Sequence, residues 1–300
     1  MFNTYVISAL VAATAFAAEG NYNYNTNGAD WGDAVPLCKD GKEQSPIDLK
    51  AGATVNKDIE LVGYNYFNFN GANSDALASN HGKKMNFPTP ENANAELKLV
   101  LANGQQESFT PAQFHFHAPS EHTVDGKFYD LEVHFVHLGE TGDNPTFSVV
   151  GVFFDIDEGG DEENPFIKSV LDALSTGDAA NAADRKENTV KEFFNTVEFG
   201  EFWSYPGSFT TPPCTEGVRW NVVKDVQPIN AAQLEEFTKY WAGDNAFAGG
   251  KGNNRVVQPI NDRTLYISTV AAADNTADDS ARALFAGAAA TIAAIAALAF

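Results

Sequence analysis

The stretch at residues 113–137, QFHFHAPSEHTVDGKFYDLEVHFVH, holds five of the six histidines in the chain. His115 and His117 alternate with aromatic residues, which is the spacing of a β-strand. Side chains two residues apart on a strand leave it by the same face, so both imidazoles point one way. The segment at 119–126 is rich in turn residues. The stretch therefore predicts two strands joined by a turn.

The second strand is a further alternating run at residues 131–137. Within it, His134 and His137 are three residues apart and so leave the strand on opposite faces. A hairpin-like pairing of the two runs brings His134 beside His115 and His117 and leaves His137 out. Three histidines of matching face parity are thus expected to meet on one side of a sheet.

Three neutral nitrogen ligands with no fourth protein ligand are the pattern of a catalytic zinc site, which keeps one position open for water. A His-x-His pair alone is a weak signal, because such pairs also occur without metal. Here Gln113 and Glu132 precede His115 and His134 by two residues, on the same faces, where each can accept the N–H of a metal-bound imidazole. The alternative is a pair of solvated polar positions. We predict zinc at His115, His117 and His134.

The composition is that of a globular, strongly acidic protein. The chain has 300 residues, 44% of them hydrophobic and 12% aromatic, and its formal net charge at pH 7 is −21. This charge disfavours nucleic acids and anionic membranes as partners, because both would repel the chain. It indicates a well-solvated acidic surface. The acidic run at 155–163 is accordingly interpreted as a solvated loop rather than a metal site.

Short runs with period-two alternation dominate the chain and predict strands at residues 61–69, 96–101, 114–116, 131–138 and 147–154. The pairs Asn-Gly at 103–104 and Asp-Gly at 125–126 are turn signals. Helices are predicted at 164–174, which opens with an asparagine cap and a proline, and at 231–241. No linker divides the chain. The pattern predicts one domain built on a large, mostly antiparallel sheet.

Residues 1–17 contain an apolar run that ends in Ala15-Phe16-Ala17. This matches a secretory signal peptide with a small-x-small cleavage site, although the usual basic region is missing. A buried first helix is the alternative, and the polar, Asn-rich sequence that follows disfavours it. Secretion bears on the two cysteines, Cys38 and Cys214, because an oxidising compartment favours a single disulfide.

The composition changes after residue 270. Residues 271–283 are small and polar, and residues 284–300 are uncharged and rich in alanine. This is the pattern of a GPI-attachment signal. A single membrane span and a loosely packed terminal helix are the alternatives, and the shortness of the run counts against the span. We expect a domain at 18–270, a tail at 271–300, and a secreted or cell-surface protein whose link to a membrane is a C-terminal lipid anchor.

Five motifs occur in order along the chain: QSPI at 44–47, QFHFH at 113–117, SEHTVDG at 120–126, GSFTTPPCTE at 207–216 and RVVQPI at 255–260. From about residue 24 to 268 the chain closely resembles the α-class carbonic anhydrases, of the algal and bacterial kind. The resemblance implies a mainly β (α+β) single domain, with a central twisted, mostly antiparallel sheet and small peripheral helices. It implies reversible hydration of carbon dioxide to bicarbonate and a proton by a zinc-bound hydroxide. In this family the zinc ligands correspond to His115, His117 and His134, and secreted members join the pair that matches Cys38 and Cys214.

The same resemblance implies roles for other residues. Thr210 matches a threonine that accepts the proton of the hydroxide and donates its own to a buried glutamate, which Glu121 matches. Thr211 matches its neighbour on the substrate side. Phe209 stands where leucine is usual, so the pocket is expected to be narrower there. Three side chains resemble the apolar wall that holds carbon dioxide: Val136, Phe209 and Trp220.

An ungapped alignment on Asn86-Phe87 places His81 at the family's proton shuttle. Ser79 and Lys84 replace polar residues that normally order the water chain around it. A histidine is a natural relay, because its unperturbed pKa of about 6.5 lies near the working pH. The alternative is an exposed loop histidine.

Two other functions are consistent with parts of the sequence. The spacing of His115, His117 and Glu121 fits half of a cupin motif, which predicts iron or manganese, but position 109 is Phe where that motif has glycine. A non-catalytic binding protein on the anhydrase fold is the other, but such relatives usually lose a ligand histidine. A role in adhesion can coexist with catalysis.

Overall fold

The computed structural model describes residues 22–67, 86–88, 94–100, 106–139, 146–159, 161–175, 189–198, 200–242, 248 and 252–270. Four of the sequence-based predictions fall outside these residues: the signal peptide at 1–17, the turn at 103–104, the tail at 271–300 and His81. The statements below concern the described residues.

Thirteen strands are present in the described part of the chain: β1 Asp48–Leu49, β2 Thr54–Phe67, β3 Asn86–Pro88, β4 Asn94–Val100, β5 Gln106–His117, β6 Thr123–Val124, β7 Lys127–Phe128, β8 Leu131–Gly139, β9 Thr146–Asp155, β10 Glu201–Ser208, β11 Glu216–Val223, β12 Gln227–Pro228 and β13 Tyr266–Val270. The helices are a 3₁₀ turn at Trp31–Asp33, α1 Leu37–Asp40, α2 Ile156–Gly159, α3 Pro165–Ser175, α4 Thr189–Thr196 and α5 Ala231–Ala242.

Ten of the strands form one sheet, and most of their pairings are antiparallel. Strands β2, β4, β5, β8 and β9 are antiparallel neighbours in that order, and β10 is antiparallel to β11 and β13. Strand β9 is parallel to β11 and β12, and β13 is parallel to β2. Strand β3 pairs with β5, while β1, β6 and β7 form a small separate sheet. The predicted fold class is confirmed.

The register of β5 and β8 follows from which side chains each face buries. Phe114 and Phe116 leave β5 on the face opposite the histidines and pack against Phe166 of α3, at ring-centroid distances of 5.8 and 6.1 Å. Phe135 leaves β8 on the same face and meets Phe193 of α4. Each buried phenylalanine contributes about 1.5–3 kcal/mol. A one-residue slip of either strand would turn its phenylalanines away from α3 and α4, so packing on the aromatic face keeps the histidines on the other face.

Both predicted helices are confirmed, with ends shifted by a residue or so. The Asn164 side chain caps α3, because its Oδ1 accepts hydrogen bonds from the backbone N–H groups of Phe166 and Ile167 at 3.0 and 3.2 Å. The predicted strands are also present. Strands β2 and β5 begin 7 and 8 residues earlier than predicted, at Thr54 and Gln106.

The described elements that were not predicted from the sequence are the strands β1, β3, β6, β7 and β10–β13, the 3₁₀ turn, and the helices α1, α2 and α4. Strand β10 contains Pro206 and Gly207, which are turn signals in sequence, yet it lies between β11 and β13, which supply its hydrogen bonds. Helix α4 has an apolar face too short to stand out in sequence. The acidic run at 155–163 was predicted to be a loop, and that prediction is wrong in part. Its residues 156–159 form the short helix α2, whose first three side chains are exposed, because its backbone can bond locally while its charges stay in water.

Cys38 of α1 is bonded to Cys214, which confirms the predicted disulfide. Such a bond fits an extracytoplasmic protein, since disulfides persist in oxidising compartments. None of the helices in the described ranges is long and apolar enough to cross a bilayer.

Candidate active site

Strands β5 and β8 bring His115, His117 and His134 together. His115 lies directly opposite His134 in the antiparallel register, and His117 follows two residues later on the same face. Their ring centroids are 5.0 Å (His115–His117), 5.2 Å (His115–His134) and 4.6 Å (His117–His134) apart. One nitrogen of each ring lies within 4.8 Å of the others. The predicted convergence is therefore present.

Each histidine holds its second nitrogen against a protein acceptor. His115 Nδ1 lies 2.9 Å from Gln113 Oε1, and His134 Nε2 lies 2.8 Å from Glu132 Oε1, which are the contacts that sequence spacing predicted. An acceptor of this kind places the hydrogen on the nitrogen that it contacts. The other nitrogen then keeps its lone pair, so the three rings are oriented as metal ligands.

The third acceptor is Asn253, which sequence reasoning missed. Its backbone carbonyl lies 2.9 Å from His117 Nδ1. Its side chain donates to the Phe116 carbonyl and accepts from the Ala118 N–H, both at 2.9 Å, and so holds the strand on either side of His117. Asn253 is more than 130 residues from His117 in sequence. The polar run that contains it, just before the RVVQPI motif, was the only sign of a buried role.

Gly252 allows this close approach. Its φ is +117°, a conformation open to glycine, and a Cβ there would lie 2.1 Å from the Ala118 carbonyl oxygen. The backbone can therefore lie directly against the end of β5.

The residues fit zinc. The candidate ligands are three imidazole nitrogens, with no carboxylate or thiolate among them. This is a known ligand set of catalytic zinc sites, and it leaves one coordination position for water. A second cluster of potential ligands consists of His122, Glu132 and His134. Its members are bonded to each other instead, since Glu132 Oε1 lies 2.7 Å from His122 Nδ1 and 2.8 Å from His134 Nε2. It is a hydrogen-bond network that steadies His134.

Glu132 is fully buried and remains ionised. Its Oε2 accepts the backbone N–H groups of Glu121 and His122 at 2.8 and 2.9 Å. Burial by itself would raise the pKa of this carboxyl. Electrostatic attraction to the imidazoles of His122 and His134, together with their hydrogen bonds, outweighs burial and holds the pKa of Glu132 well below its usual value. Burial, partly opposed by Glu132, lowers the pKa of His134, which favours the neutral form that binds metal.

Glu121 is also buried, beside the metal-binding histidines. Its Oε1 accepts the backbone N–H of Arg255 at 2.9 Å, and its Oε2 lies 3.4 Å from His117 Nε2. Burial raises the pKa of this carboxyl to about 8, and the Thr210 hydroxyl acts in the opposite direction. The Oε2 atom accepts no hydrogen bond of regular geometry from the described residues. A zinc cation beside His117 would further favour the ionised form.

A pocket opens beside His115 and His134. All five residues predicted for the substrate side line it, together with Val149: Val136, Phe209, Thr210, Thr211 and Trp220. Trp220 presents its ring to His134 at 4.7 Å and donates its indole N–H to the Ser208 carbonyl. Phe209 packs edge-on against Phe147, with ring centroids 4.8 Å apart. The pocket lining thus combines apolar side chains with the hydroxyls of Thr210 and Thr211.

His137 points away from this pocket, as predicted. It is fully buried, and its Nδ1 lies 3.3 Å from the Ser148 carbonyl oxygen.

Comparison with known proteins decides the family. Residues 26–269 match the family described as eukaryotic-type carbonic anhydrase. The chain belongs to this family. A carbonic anhydrase of Neisseria gonorrhoeae is 33% identical over 267 residues, which cover 85% of this chain and 93% of that protein. Alpha carbonic anhydrase 3 of Arabidopsis thaliana is 32% identical over 80% of this chain and 78% of its own.

Solved structures of carbonic anhydrases support the same family assignment. The α-carbonic anhydrase of Thermovibrio ammonificans, in complex with the inhibitor sulfanilamide, is 31% identical, with a TM-score of 0.56 over 82% of this chain and all of that one. The halotolerant carbonic anhydrase of Dunaliella salina is 27% identical, with a TM-score of 0.61 over 83% and 98%. The activity is that of a carbonic anhydrase, a lyase that interconverts carbon dioxide and bicarbonate, and the histidine triad implies zinc as its metal. The cupin interpretation is thereby excluded.

Proposed function

We propose that this chain hydrates carbon dioxide at the pocket beside His115, His117 and His134, and that these three histidines hold the zinc ion. The observation that carries the proposal is the convergence of three imidazoles, each with its second nitrogen held by a separate acceptor: Gln113, Asn253 and Glu132. When bound, zinc acts as a Lewis acid that makes water nucleophilic near neutral pH, as is established for carbonic anhydrases. The chain's own residues supply orientation, substrate binding and proton transfer.

Thr210 and Glu121 would orient the reacting water. Because Glu121 in its ionised form can only accept hydrogen bonds, the Thr210 hydroxyl must donate to it. The hydroxyl oxygen is then left to accept a hydrogen bond from the water, which fixes the direction of the water's lone pair. This hydrogen bond requires Glu121 to be ionised. The N–H of Arg255 and a zinc ion held by the three histidines would both favour the ionised form.

The apolar side of the pocket would hold carbon dioxide. Val136, Phe209 and Trp220 offer contact area without hydrogen bonds, which suits a substrate that has no donor. Thr211 also lines the pocket. A weakly bound carbon dioxide molecule beside an oriented water has only a short distance to move before it reacts.

Two substitutions on β8 test the metal site. His134→Ala should abolish stoichiometric zinc and carbon dioxide hydration, because it removes one of three ligands. His137→Gln is the matched control, since it changes a histidine on the same strand but on the opposite face. Zinc is measured by atomic spectroscopy and hydration by stopped flow. Full zinc and full activity in His134→Ala would contradict the assignment.

Thr210→Ala tests the orienting pair. Zinc should stay at one ion per chain while the hydration rate falls on the order of a hundredfold, as is typical when an oriented hydrogen bond is lost from an active site. Glu132→Gln would instead weaken metal binding. An unchanged rate in Thr210→Ala would remove this residue from the mechanism.

We also propose that His81 relays the proton from the site to solvent, on the alignment of the sequence around it. His81→Ala should slow turnover in dilute buffer but leave the interconversion of carbon dioxide and bicarbonate at equilibrium nearly unchanged, as measured by isotope exchange. Added imidazole should restore turnover. Wild-type turnover of this variant in dilute buffer would show that the proton leaves by another path.

The mature form is proposed to carry the catalytic domain at 18–270 and part of the tail at 271–300, after removal of a signal peptide at 1–17 and of residues 284–300. A lipid anchor would be attached within residues 275–281. Release from membranes by a phosphatidylinositol-specific phospholipase is the expected result. A native C-terminal peptide that ends in Phe300 would contradict the anchor.

A further inference from the structure

The side chain of Arg255 is a fully buried cation that the proposed mechanism does not use. It donates two hydrogen bonds to backbone carbonyls, from Nη1 to Ser45 at 2.6 Å and from Nη2 to Cys38 at 2.7 Å. Its guanidinium also lies over the Trp31 ring, with Cζ 5.7 Å from the ring centroid. No carboxylate in the described residues forms an ion pair with it at 4.0 Å or less. A buried charge without an ionic partner is costly, and here backbone carbonyls and an aromatic ring compensate it.

The two carbonyls belong to residues that hold the Thr210 loop, which we define as residues 209–215 between β10 and β11. Ser45 binds the entry to the loop, because its N–H donates to Ser208 Oγ at 2.9 Å and its Oγ accepts the Ser208 N–H at 3.1 Å. Ser208 is two residues before Thr210. Cys38 binds the exit, through its disulfide to Cys214, four residues after Thr210.

The loop itself is a closed unit. The Phe209 N–H donates to the Thr215 carbonyl at 3.0 Å, and the Cys214 N–H donates to the Thr211 carbonyl at 2.8 Å. A displacement of either end therefore displaces Thr210 with it.

The backbone of Arg255 holds the other partner of Thr210. Its N–H donates to Glu121 Oε1 at 2.9 Å. Its neighbours fix the position of this N–H, since Asn253 is bonded to the end of β5 and the Val256 N–H donates to the Asn27 carbonyl at 2.7 Å. One residue thus contacts the carboxylate through its backbone and both supports of the threonine loop through its side chain.

We propose that Arg255 is a positioning residue for the hydration reaction: through Ser45 and Cys38 it fixes both ends of the Thr210 loop relative to Glu121. The inference rests on the proposed roles of Thr210 and Glu121. A guanidinium is suited to this task because its planar fork donates in two fixed directions at once, which a lysine ammonium does not do.

The charge of Arg255 persists at neutral pH. Burial lowers the pKa of its guanidinium to about 10, and Glu121 is the negative group that most opposes this. The side chain therefore remains a full donor under working conditions.

The test is a double-mutant cycle on Arg255→Met and Thr210→Ala. Arg255→Met should lower kcat about 10- to 100-fold, the cost of a misplaced group near the reacting atoms, with KM for carbon dioxide within about twofold. Because Arg255 acts through Thr210, the double variant should be no slower than Thr210→Ala by more than about twofold. Zinc should stay at one per chain in every variant.

Arg263→Met is the matched control. Like Arg255, Arg263 donates to backbone carbonyls, three in its case, and lies over an aromatic ring, that of Tyr205. Unlike Arg255, it does not contact Glu121, and it does not contact the Thr210 loop. Its removal should lower the melting temperature and leave kcat within about twofold of wild type. Arg255→Lys should recover only part of the lost kcat, and it carries the same cycle if Arg255→Met yields no folded protein.

Three results would overturn the proposal. Losses that multiply in the double variant would show that Arg255 acts independently of Thr210. Lost zinc in the Arg255 variants would place its effect on the metal site or the fold. Wild-type kcat in Arg255→Lys would show that bridging is not needed. An unchanged kcat in Thr210→Ala alone is a separate outcome, which would contradict the proposed role of Thr210 itself.

Discussion

His134 and His137 lie three residues apart on β8, and the sheet gives them opposite tasks. His134 faces the pocket, where Glu132 orients it toward the metal position. His137 is buried on the other face, and burial lowers its pKa to about 4 although hydrogen bonds to the backbone of Ser148 and Phe135 oppose the shift. It is neutral at the pH where the enzyme works. The same residue type thus has a chemical role on one face of the strand and a packing role on the other.

The buried histidine predicts a pH dependence of stability. His137 takes up a proton at about 6.5 when unfolded but only at about 4 when folded, so between these values the unfolded state binds more protons. Its contribution is present above pH 6.5 and is lost as the pH falls toward 4, by at most about 3 kcal/mol. Urea unfolding at pH 4–8 should therefore show a shallower pH dependence in His137→Gln than in wild type. Parallel curves for the two proteins would contradict this expectation.

At the scale of the element, α3 shows how local sequence and tertiary contacts combine. Asn164 caps the helix in the way that its position before Pro165 predicted. Its Nδ2 also donates to the Pro228 carbonyl, and its backbone N–H donates to Gln233 at the start of α5. The cap therefore joins two helices in addition to starting one. Phe166 on α3 can then cover the aromatic face of the strands that carry the site.

Removal of this cap gives an element-scale prediction. Asn164→Ala should lower the free energy of unfolding by about 1–2 kcal/mol, because it loses the cap and the hydrogen bond to the partly buried Pro228 carbonyl. Asn195→Ala, at an exposed position near the end of α4, should change stability by less than about 0.5 kcal/mol. Urea unfolding measures both. Equal losses in the two variants would show that the cap does not matter here.

At the scale of the whole molecule, the disulfide joins residues 176 positions apart and connects the N-terminal segment to the loop that carries Thr210. The net charge of −21 acts against the stability of the fold, since repulsion between like charges destabilises a compact chain. A covalent link across so long a loop limits the entropy of the unfolded chain. The disulfide thus serves stability and site geometry together.

Replacement of both cysteines by serine should lower the free energy of unfolding by about 2–5 kcal/mol, in the range expected for a loop of this length. Wild type in a reducing agent should approach the stability of the double variant, while the double variant itself should not respond to the reductant. Urea unfolding with and without reductant checks this. A loss below about 1 kcal/mol would contradict the expectation.

The sequence by itself determined the fold class, the three histidines, two of their three acceptors and the disulfide. Local spacing and short motifs carry this information. Strand periodicity places His115, His117 and His134 on one face of the sheet, and the same periodicity places Gln113 and Glu132 beside two of them. Only the tertiary structure decided the contacts of Asn253 and Arg255. Each contacts the site through one backbone group, the Asn253 carbonyl and the Arg255 N–H, and binds other backbone groups through its side chain; the residues that these two backbone groups contact, His117 and Glu121, are more than 130 residues away. Such contacts form only when the sheet has set the register of β5 and β8 and the backbone at Gly252 can approach it, so no local pattern encodes them.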